Sequence, residues 1–170
     1  MKIFNTILYK VQSPKNVGMI IRSHVAFQGD KVVFVGYEKP WDFKKGTQSF
    51  SRKLEKDCEF LHFAKEKDFF AWAAQEGIHN LAIEIDKDAI ELYQHEFHAV
   101  SNLIIGNEKD GIPSGFLQQC DAIIKIPQFG QVACLNASVS ASIAMYELRR
   151  NDQLISLQVD GSKYDINSRG

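Results

Sequence analysis

The sequence lacks several features that would assign it to a specialised class of protein. No apolar run reaches the roughly 20 residues that a membrane-spanning helix requires. The N-terminus has neither a long apolar segment nor a small-residue cleavage site, so we predict no signal peptide. Cysteine is scarce, since the chain has only three, an odd number without metal-ligand spacing. We therefore expect a cytoplasmic protein with reduced thiols and no association with a membrane.

Common sites for phosphates and metals are also missing from the sequence. There is no GxGxxG fingerprint and no P-loop, which argues against dehydrogenases and nucleoside triphosphatases. The pair His95 and His98 has the spacing of neither a zinc finger nor a zincin helix, and no cysteine lies near it. We therefore predict that the protein binds no metal.

The sequence has no overall basic excess, because 20 lysines and arginines are matched by 21 acidic residues and the net charge is −1. Modules that bind RNA are usually basic, since contacts to phosphates supply most of the affinity. One segment is locally basic, and its cationic residues are Lys39, Lys44, Lys45, Arg52, Lys53 and Lys56. This segment either faces a phosphate backbone or is a solvated surface of mixed charge that includes Glu55 and Asp57.

The composition, with 45% hydrophobic and 24% charged residues in 170, is typical of one globular domain. We expect the domain to span residues 1–157 and residues 158–170 to form a flexible tail, because the end of the chain has little apolar content. The predicted strands are 3–11, 31–36, 59–63, 80–85, 101–105 and 122–126. The predicted helices are 16–27, 47–56, 68–76, 114–119 and 136–150, with a short helical turn at 89–94. This alternation predicts an α/β fold with a parallel sheet, helices on both faces, and ligands at the carboxyl ends of the strands.

The segment from residue 126 to residue 150 carries the strongest local signals. Pro127 ends a strand, since it has no N–H for a sheet ladder, and Asn136 has the side chain of a helix N-cap. Four larger residues then follow at helical spacing, namely Val139, Ile143, Tyr146 and Arg150. Between them, small residues such as Ala141 and Ala144 would let another element approach the helix closely. By periodicity alone, a helix packed in the core is as good an interpretation as a helix that forms part of a functional site.

Two other stretches of the sequence favour the functional interpretation. The first runs Asn16-Val17-Gly18-Met19-Ile20-Ile21-Arg22, and the second is LIIGNEKDGIP at residues 103–113. With the segment at 126–150 they resemble, in this order, the three sequence motifs of the SpoU/TrmH family. That family comprises S-adenosylmethionine-dependent RNA ribose 2′-O-methyltransferases of the SPOUT class.

The resemblance implies more about the fold and the partners than periodicity does. It implies a C-terminal trefoil knot whose threaded loops form the pocket for S-adenosylmethionine, and a homodimer that pairs through the knot and its C-terminal helix. The first motif begins at residue 16, so we expect no RNA-capturing domain ahead of it. We therefore expect an RNA substrate, with tRNA favoured over rRNA.

The resemblance assigns catalytic roles to Arg22, Asn16, Glu108 and Asn136. Arg22 would hold a phosphate and stabilise the developing alkoxide, whereas the alternative is an ordinary surface arginine. Asn16 would either cap its helix or position Arg22 or the substrate. Glu108 would orient Arg22 or accept from the substrate, although its GNEKDG segment alone predicts only a turn. Asn136 is a candidate site residue as well as an N-cap.

Contacts to the cofactor in the family are made largely by the main chain of the second and third motifs. The matching residues are Ile105, Gly106, Ile126, Pro127, Leu135 and Asn136, with Glu84 and Ile85 as weaker candidates from the end of a strand. Cys134 stands where the family usually has serine, and a thiol is a weaker hydrogen-bonding group than a hydroxyl. Cys134 therefore either fills space or offers only its backbone to the cofactor.

Two other functions are compatible with the sequence. Cys134 and the absent basic excess favour a non-catalytic RNA-binding or cofactor-binding protein on the same fold. A generic nucleotide-binding α/β domain is the second alternative. Transfer of a labelled methyl group to RNA would distinguish the enzyme from both.

Overall fold

The computed structural model describes residues 1–44, 46–132, 134–150 and 152. The strands are β1 (Ile3–Tyr9), β2 (Lys31–Val35), β3 (Glu59–Phe63), β4 (His79–Ile83), β5 (Ile90–Glu91), β6 (Val100–Ile105) and β7 (Ala122–Lys125). The helices are α1 (Pro14–Ala26), α2 (Thr47–Ser51), α3 (Glu66–Gln75), α4 (Ser114–Leu117) and α5 (Ala137–Arg149), and 3-10 turns lie at Leu54–Asp57 and Leu92–Gln94. All strand pairs are parallel, in the order β3-β2-β1-β6-β4-β7-β5. The predicted parallel α/β sheet is therefore confirmed.

Helices cover both faces of the sheet. Side chains along a strand alternate between its two sides, so one strand contributes residues to the packing on each face. On one side Phe4 and Leu8 pack in a core with apolar residues of α1 and α5. On the other side Ile7 and Tyr9 pack with apolar residues of α3 and α4. The near-continuous apolar runs of the central strands are thus explained by burial on both faces.

The predicted elements are right in type, apart from two local errors. The turn predicted at 89–94 begins instead with the two-residue strand β5 and only then becomes a 3-10 turn. The helix predicted at 47–56 ends at Ser51, since Arg52 and Lys53 have positive φ angles of 56° and 64°. This left-handed backbone cannot continue an α-helix. The predicted tail at 158–170 lies outside the described residues.

Helix α1 is packed between α2 and α5. A Cβ atom on Gly18 would lie 2.7 Å from both the Phe50 Cβ and the Thr47 carbonyl oxygen, so only glycine permits this approach of α2. On the other flank, the hydroxyls of Ser23 and Ser142 lie 2.8 Å apart, which joins α1 to α5.

The side of α5 that faces the core differs from the one implied by its larger residues. Ala141, Ala144, Met145 and Leu148 are buried within the chain, whereas Val139 and Tyr146 are 45% and 56% exposed. Ala141 and Ala144 therefore pack in the core with the sheet and α1 of the same chain.

The end of α5 is held by a buried arginine. The guanidinium of Arg149 donates to the carbonyl oxygens of Phe27 and Gln28 at 2.8 Å each, to the Lys2 carbonyl oxygen, and to Asp152. Its charge is thus paired and fully hydrogen-bonded, as burial requires. Among the described residues, none of the helices is long and apolar enough to cross a membrane.

Candidate active site

A cavity of about 620 Å³ opens at the carboxyl ends of β4, β6 and β7. Its wall is built from residues 83–86 after β4, residues 105–112 after β6, and residues 126, 128, 134–137 and 140 around the start of α5, with Ser114 and Leu117. This volume lies within the range of small-molecule sites, and the position is the one where parallel sheets bind ligands.

The loop after β6 is folded tightly against the end of β4. A Cβ atom on Gly106 would lie 2.6 Å from the Cγ1 atom of Ile112, so this residue must be glycine. Gly111 has a φ of 63°, and any side chain there would meet the Glu84 carboxylate. Glu84 in turn accepts from the Ile112 N–H at 3.0 Å and from its neighbour, the Ile85 N–H, at 2.9 Å. Glu84 therefore holds two loops of the cavity wall together.

Glu108 closes the same loop onto the start of α1. Its carboxylate accepts from the Gln12 N–H at 2.9 Å, the Ser13 N–H at 3.0 Å and the Asn16 side-chain amide at 2.9 Å. Burial alone would raise the pKa of Glu108, but these hydrogen bonds outweigh burial and hold the pKa below its ordinary value. Glu108 is therefore ionised and fully engaged, which suits a positioning role better than that of a free base.

Asn16 and Asn136 extend this network to α5. The Asn136 amide donates to the Asn16 side-chain oxygen at 3.1 Å, while the Asn136 oxygen accepts from the N–H and the hydroxyl of Ser138 at 2.9 and 2.7 Å. The predicted N-cap at Asn136 is thus confirmed. The expectation that Asn16 caps α1 is wrong, because Ser13 is the N-cap and accepts from the Asn16 N–H. The Asn16 side chain is instead 6% exposed and used entirely between Glu108 and Asn136.

Arg22 lies apart from this cluster. It is exposed on the outer face of α1, in line with Lys15 and Met19, and it does not line the cavity. Six residues separate it from Asn16, which corresponds to about 9 Å along a helix. The structure therefore brings three of the four predicted catalytic residues together and leaves Arg22 on the adjoining surface.

Most of the predicted cofactor residues line the cavity. They are Glu84, Ile105, Gly106, Ile126, Cys134 and Leu135, together with Ile85 and Asn136. Pro127 does not line it, because the cavity wall passes from Ile126 to Gln128. Cys134 is exposed, and no side-chain hydrogen bond joins it to the described residues.

Ser140 and Gln128 are among the polar residues of the cavity wall that the sequence did not indicate. Ser140 follows Asn136 by four residues, so one helical turn brings both to the same side of α5. Gln128 follows Pro127, and its side-chain oxygen is buried without a hydrogen-bond partner among the described residues. A buried acceptor of this kind is costly unless a ligand or water satisfies it.

The electrostatics of the cavity favour a cation. Its lining includes the carboxylates of Glu84, Asp86, Glu108 and Asp110, against the single ammonium of Lys109. Within the described part of the chain, none of these acids is in an ion pair with a lysine or arginine. A ligand with positive charge would therefore be stabilised here.

The locally basic segment lies outside the cavity wall. Its described cationic side chains are all exposed, namely Lys39, Lys44, Arg52, Lys53 and Lys56, whereas Lys45 lies outside the described residues. Of the two acidic residues in this segment, Glu55 is buried and accepts a hydrogen bond from the Ser51 hydroxyl, whereas Asp57 is exposed. The described residues include no group of three or more His, Cys, Asp or Glu side chains able to hold a metal ion.

Comparison with known proteins gives a consistent match. The model of the SpoU rRNA Methylase family matches residues 4–146. The 23S rRNA (guanosine(2553)-2′-O)-methyltransferase RlmP of Bacillus subtilis is 29% identical over 148 residues, which are 82% of this chain and 55% of that protein. The tRNA (guanosine(18)-2′-O)-methyltransferase of Escherichia coli K12 is 30% identical over 86 residues, 51% of this chain and 38% of that protein.

A solved structure matches the fold over most of the chain. The AdoMet-bound rRNA methyltransferase from Sinorhizobium meliloti superposes with a TM-score of 0.82 at 24% identity, covering 89% of this chain and 57% of that one. This chain thus spans about half the length, or less, of the proteins to which it is similar here.

Proposed function

This chain belongs to the SpoU rRNA Methylase family, and from that premise we propose that it is an S-adenosylmethionine-dependent RNA methyltransferase acting on a ribose 2′-hydroxyl. The observation that carries the proposal is the hydrogen-bonded cluster of Glu108, Asn16 and Asn136 at the rim of the cavity. It joins one residue from each of the three sequence motifs at the carboxyl ends of the strands.

The cavity has the properties that S-adenosylmethionine requires. When bound, this cofactor supplies an electrophilic methyl group on a positively charged sulfur, and a surplus of carboxylates surrounds the cavity. The buried Gln128 oxygen, which has no partner among the described residues, fits a ligand with N–H donors. The main chain of Ile105, Gly106 and Leu135, which line the cavity, would hold the adenosyl group.

The residues of the chain would orient the ribose and stabilise its charge. Alignment of the 2′-oxygen with the methyl carbon is the main demand of this reaction. Arg22 would hold a phosphate and donate to the 2′-oxygen as its proton leaves to a phosphate oxygen or water, since a guanidinium does not act as a base. Asn16 would keep the start of α1, and thereby Arg22, at a fixed distance from the cavity, while Glu108 holds Asn16.

The RNA would run from the cavity rim along the outer face of α1, because Arg22 is exposed there and does not line the cavity. We favour tRNA over rRNA as the substrate. Similarity to a tRNA methyltransferase of Escherichia coli supports this preference, although the family model and RlmP belong to enzymes of rRNA.

We also propose a homodimer and a trefoil knot. The exposed apolar side chains of Val139 and Tyr146 support a dimer that buries the outer face of α5. The knot is supported by the family alone, and would be formed by the segment after β7 that supplies the third motif.

The role of Arg22 is tested by Arg22→Lys. Lysine keeps the charge but lacks the planar fork, so we expect turnover to fall about a hundredfold or more while cofactor affinity stays nearly intact. Single-turnover methylation and a cofactor titration on the same preparation measure the two effects. Wild-type turnover in this variant would refute the forked contact, and a collapse in cofactor affinity would assign Arg22 to the cofactor pocket.

The reaction itself is tested by two assays. Calorimetry should give one S-adenosylhomocysteine bound per chain, and labelled S-adenosylmethionine should transfer its methyl group to RNA. Binding without transfer would favour the non-catalytic alternative, for which the exposed Cys134 in place of serine is the specific observation. In a thermal-shift measurement, stabilisation by ATP equal to that by S-adenosylmethionine would favour a generic nucleotide-binding domain.

A further inference from the structure

Phe129 differs from every other phenylalanine in the described chain. Its side chain is 98% exposed, whereas the next most exposed, Phe50, is 37% exposed and packs near Gly18. None of the aromatic contacts among the described residues includes Phe129. An aromatic ring left in water forgoes the free energy of burial, which for a phenylalanine is about 2 kcal/mol or more. A partner that covers the ring would recover this free energy.

The position of Phe129 is fixed by the residue on its N-terminal side. Gln128 lines the cavity and its side-chain oxygen is buried there, so the segment is held against the cavity wall one residue before the exposed ring. The chain returns to the wall at Cys134. Phe129 therefore adjoins the cavity wall, next to Gln128 and in the segment between two residues that line the cavity.

The charge of the cavity wall narrows the chemistry of the partner. Four acidic residues line the cavity against the single ammonium of Lys109, so attraction to phosphates is weak at this edge, and contacts of another kind would hold RNA there. Stacking of bases on aromatic rings is the main contact of this kind, and it requires an unpaired base. It also tolerates any base, since every base has a π-face.

We infer that Phe129 stacks on an unpaired nucleobase of the RNA whose ribose enters the cavity. The inference rests on the proposed function, and it specifies the substrate as a single-stranded or looped segment of RNA. A competing occupant of the same ring is a second copy of this chain, which the experiment below separates from RNA.

The test compares Phe129→Ala, Phe129→Trp and a matched control, Tyr93→Ala, which removes another exposed aromatic ring that lies outside the cavity wall. Small RNA from a strain lacking this gene, with tritiated S-adenosylmethionine, gives the RNA concentration at half-maximal rate. We expect it to rise about tenfold in Phe129→Ala, which corresponds to loss of one stacked base, and to stay near wild type in Phe129→Trp and Tyr93→Ala. Affinity for S-adenosylhomocysteine should be unchanged in all three.

Several results would overturn the inference. If the RNA concentration at half-maximal rate is unchanged in Phe129→Ala, the ring does not stack on the RNA. If light scattering shows that this variant dissociates from a dimer to a monomer, the ring contacts a second copy of the chain. If the variant binds S-adenosylhomocysteine more weakly, the ring covers the cofactor. Wild-type protein that transfers no methyl group would refute the proposed function instead. The fluorescence of Phe129→Trp then still tests the inference. Adding RNA should quench this variant more than it quenches the wild type, whose fluorescence comes from Trp41 and Trp72.

Discussion

The two ends of the sheet use polar side chains in opposite ways. At the carboxyl end, Glu84 and Glu108 accept hydrogen bonds from backbone N–H groups of the loops, around an open cavity. At the amino end, Asn5 donates to Asn102 at 2.9 Å and Asn102 donates to Asn80 at 2.8 Å, across three neighbouring strands. These three asparagines are at most 7% exposed.

Polar groups at the amino end determine the register of the strands, whereas those at the carboxyl end determine the positions of the loops that form the site. The asparagine row occurs at matched positions, Asn5 opposite Asn102 and Asn80 opposite Asn102, so a shifted register would leave buried amides unpaired. The carboxylates at the other end instead determine where the loops lie. Substitutions at the two ends should therefore affect different measurements.

Among substitutions at the two ends of the sheet, Glu108→Gln should have the largest effect, and that effect should be on activity. Glutamine offers one oxygen where the carboxylate offers two, so it cannot serve Gln12, Ser13 and Asn16 together and its amide hydrogens oppose an N–H. We expect turnover to fall about a hundredfold, since a misplacement of about 1 Å has such effects. Single-turnover methylation measures it, with Glu59→Gln on the edge strand as control for loss of one carboxylate. Full activity would mean that the loops hold their positions without Glu108.

Asn102→Ala should act on stability and spare the chemistry. It leaves a buried donor on Asn5 and a buried acceptor on Asn80 without partners, each costing about 1–3 kcal/mol. We expect the free energy of unfolding to fall by about 4 kcal/mol, measured by denaturant titration. Turnover per folded molecule at low temperature should stay within about twofold. A large loss of turnover in the folded fraction would show that the two ends are coupled.

Acid should weaken the amino end through His24. This side chain is 1% exposed, and burial lowers its pKa from 6.5 to about 4, with Asp30 opposing part of the shift. Between these values the unfolded chain binds more protons than the folded one, so the free energy of unfolding decreases as pH falls from 6.5 to 4. The loss from His24 should be about 3 kcal/mol at pH 4, and burial lowers the pKa values of His79 and His95 in the same direction.

The contribution of His24 is isolated with His24→Gln, which cannot titrate. Denaturant unfolding between pH 7.5 and pH 4 should have a smaller slope in this variant than in wild type. Equal slopes would mean that the pKa of His24 is the same in the folded and the unfolded chain.

Cys134→Ser should give the smallest effect. The residue lines the cavity but is exposed, and its thiol makes no side-chain hydrogen bond to the described residues, so the backbone is its main contribution. We expect turnover and cofactor affinity within about twofold of wild type, measured by single-turnover methylation and by a cofactor titration. A hundredfold loss would reveal a chemical role for the thiol.

The sheet could be predicted from the sequence because the signals that form it are local. Runs such as the one in β2 and the short β3 predict strands by composition alone, and their alternation with helices predicts parallel pairing. Errors arose where a signal was lacking. Arg52 and Lys53 adopt left-handed backbone without any glycine to indicate it, and β5 is only two residues long.

The site could be predicted only in part. Periodicity does not bring Asn16, Glu108 and Asn136 together, and the resemblance of three motifs was needed to associate them. The side that α5 presents to the core also escaped prediction, because its small residues suit a buried face and an interface between copies equally. Gln128 carried no signal at all, since a glutamine in a loop is ordinary.

The bonds of Asn16 also determine when the site can exist. They join residues 92 and 120 positions apart in the chain. On a ribosome that adds roughly 10 residues per second, the partner on α5 follows Asn16 by about 12 s. Until then a nascent chain can pair β1 with β2 but has no complete cluster. The cluster of Asn16, Glu108 and Asn136 can therefore form only after α5 has left the exit tunnel.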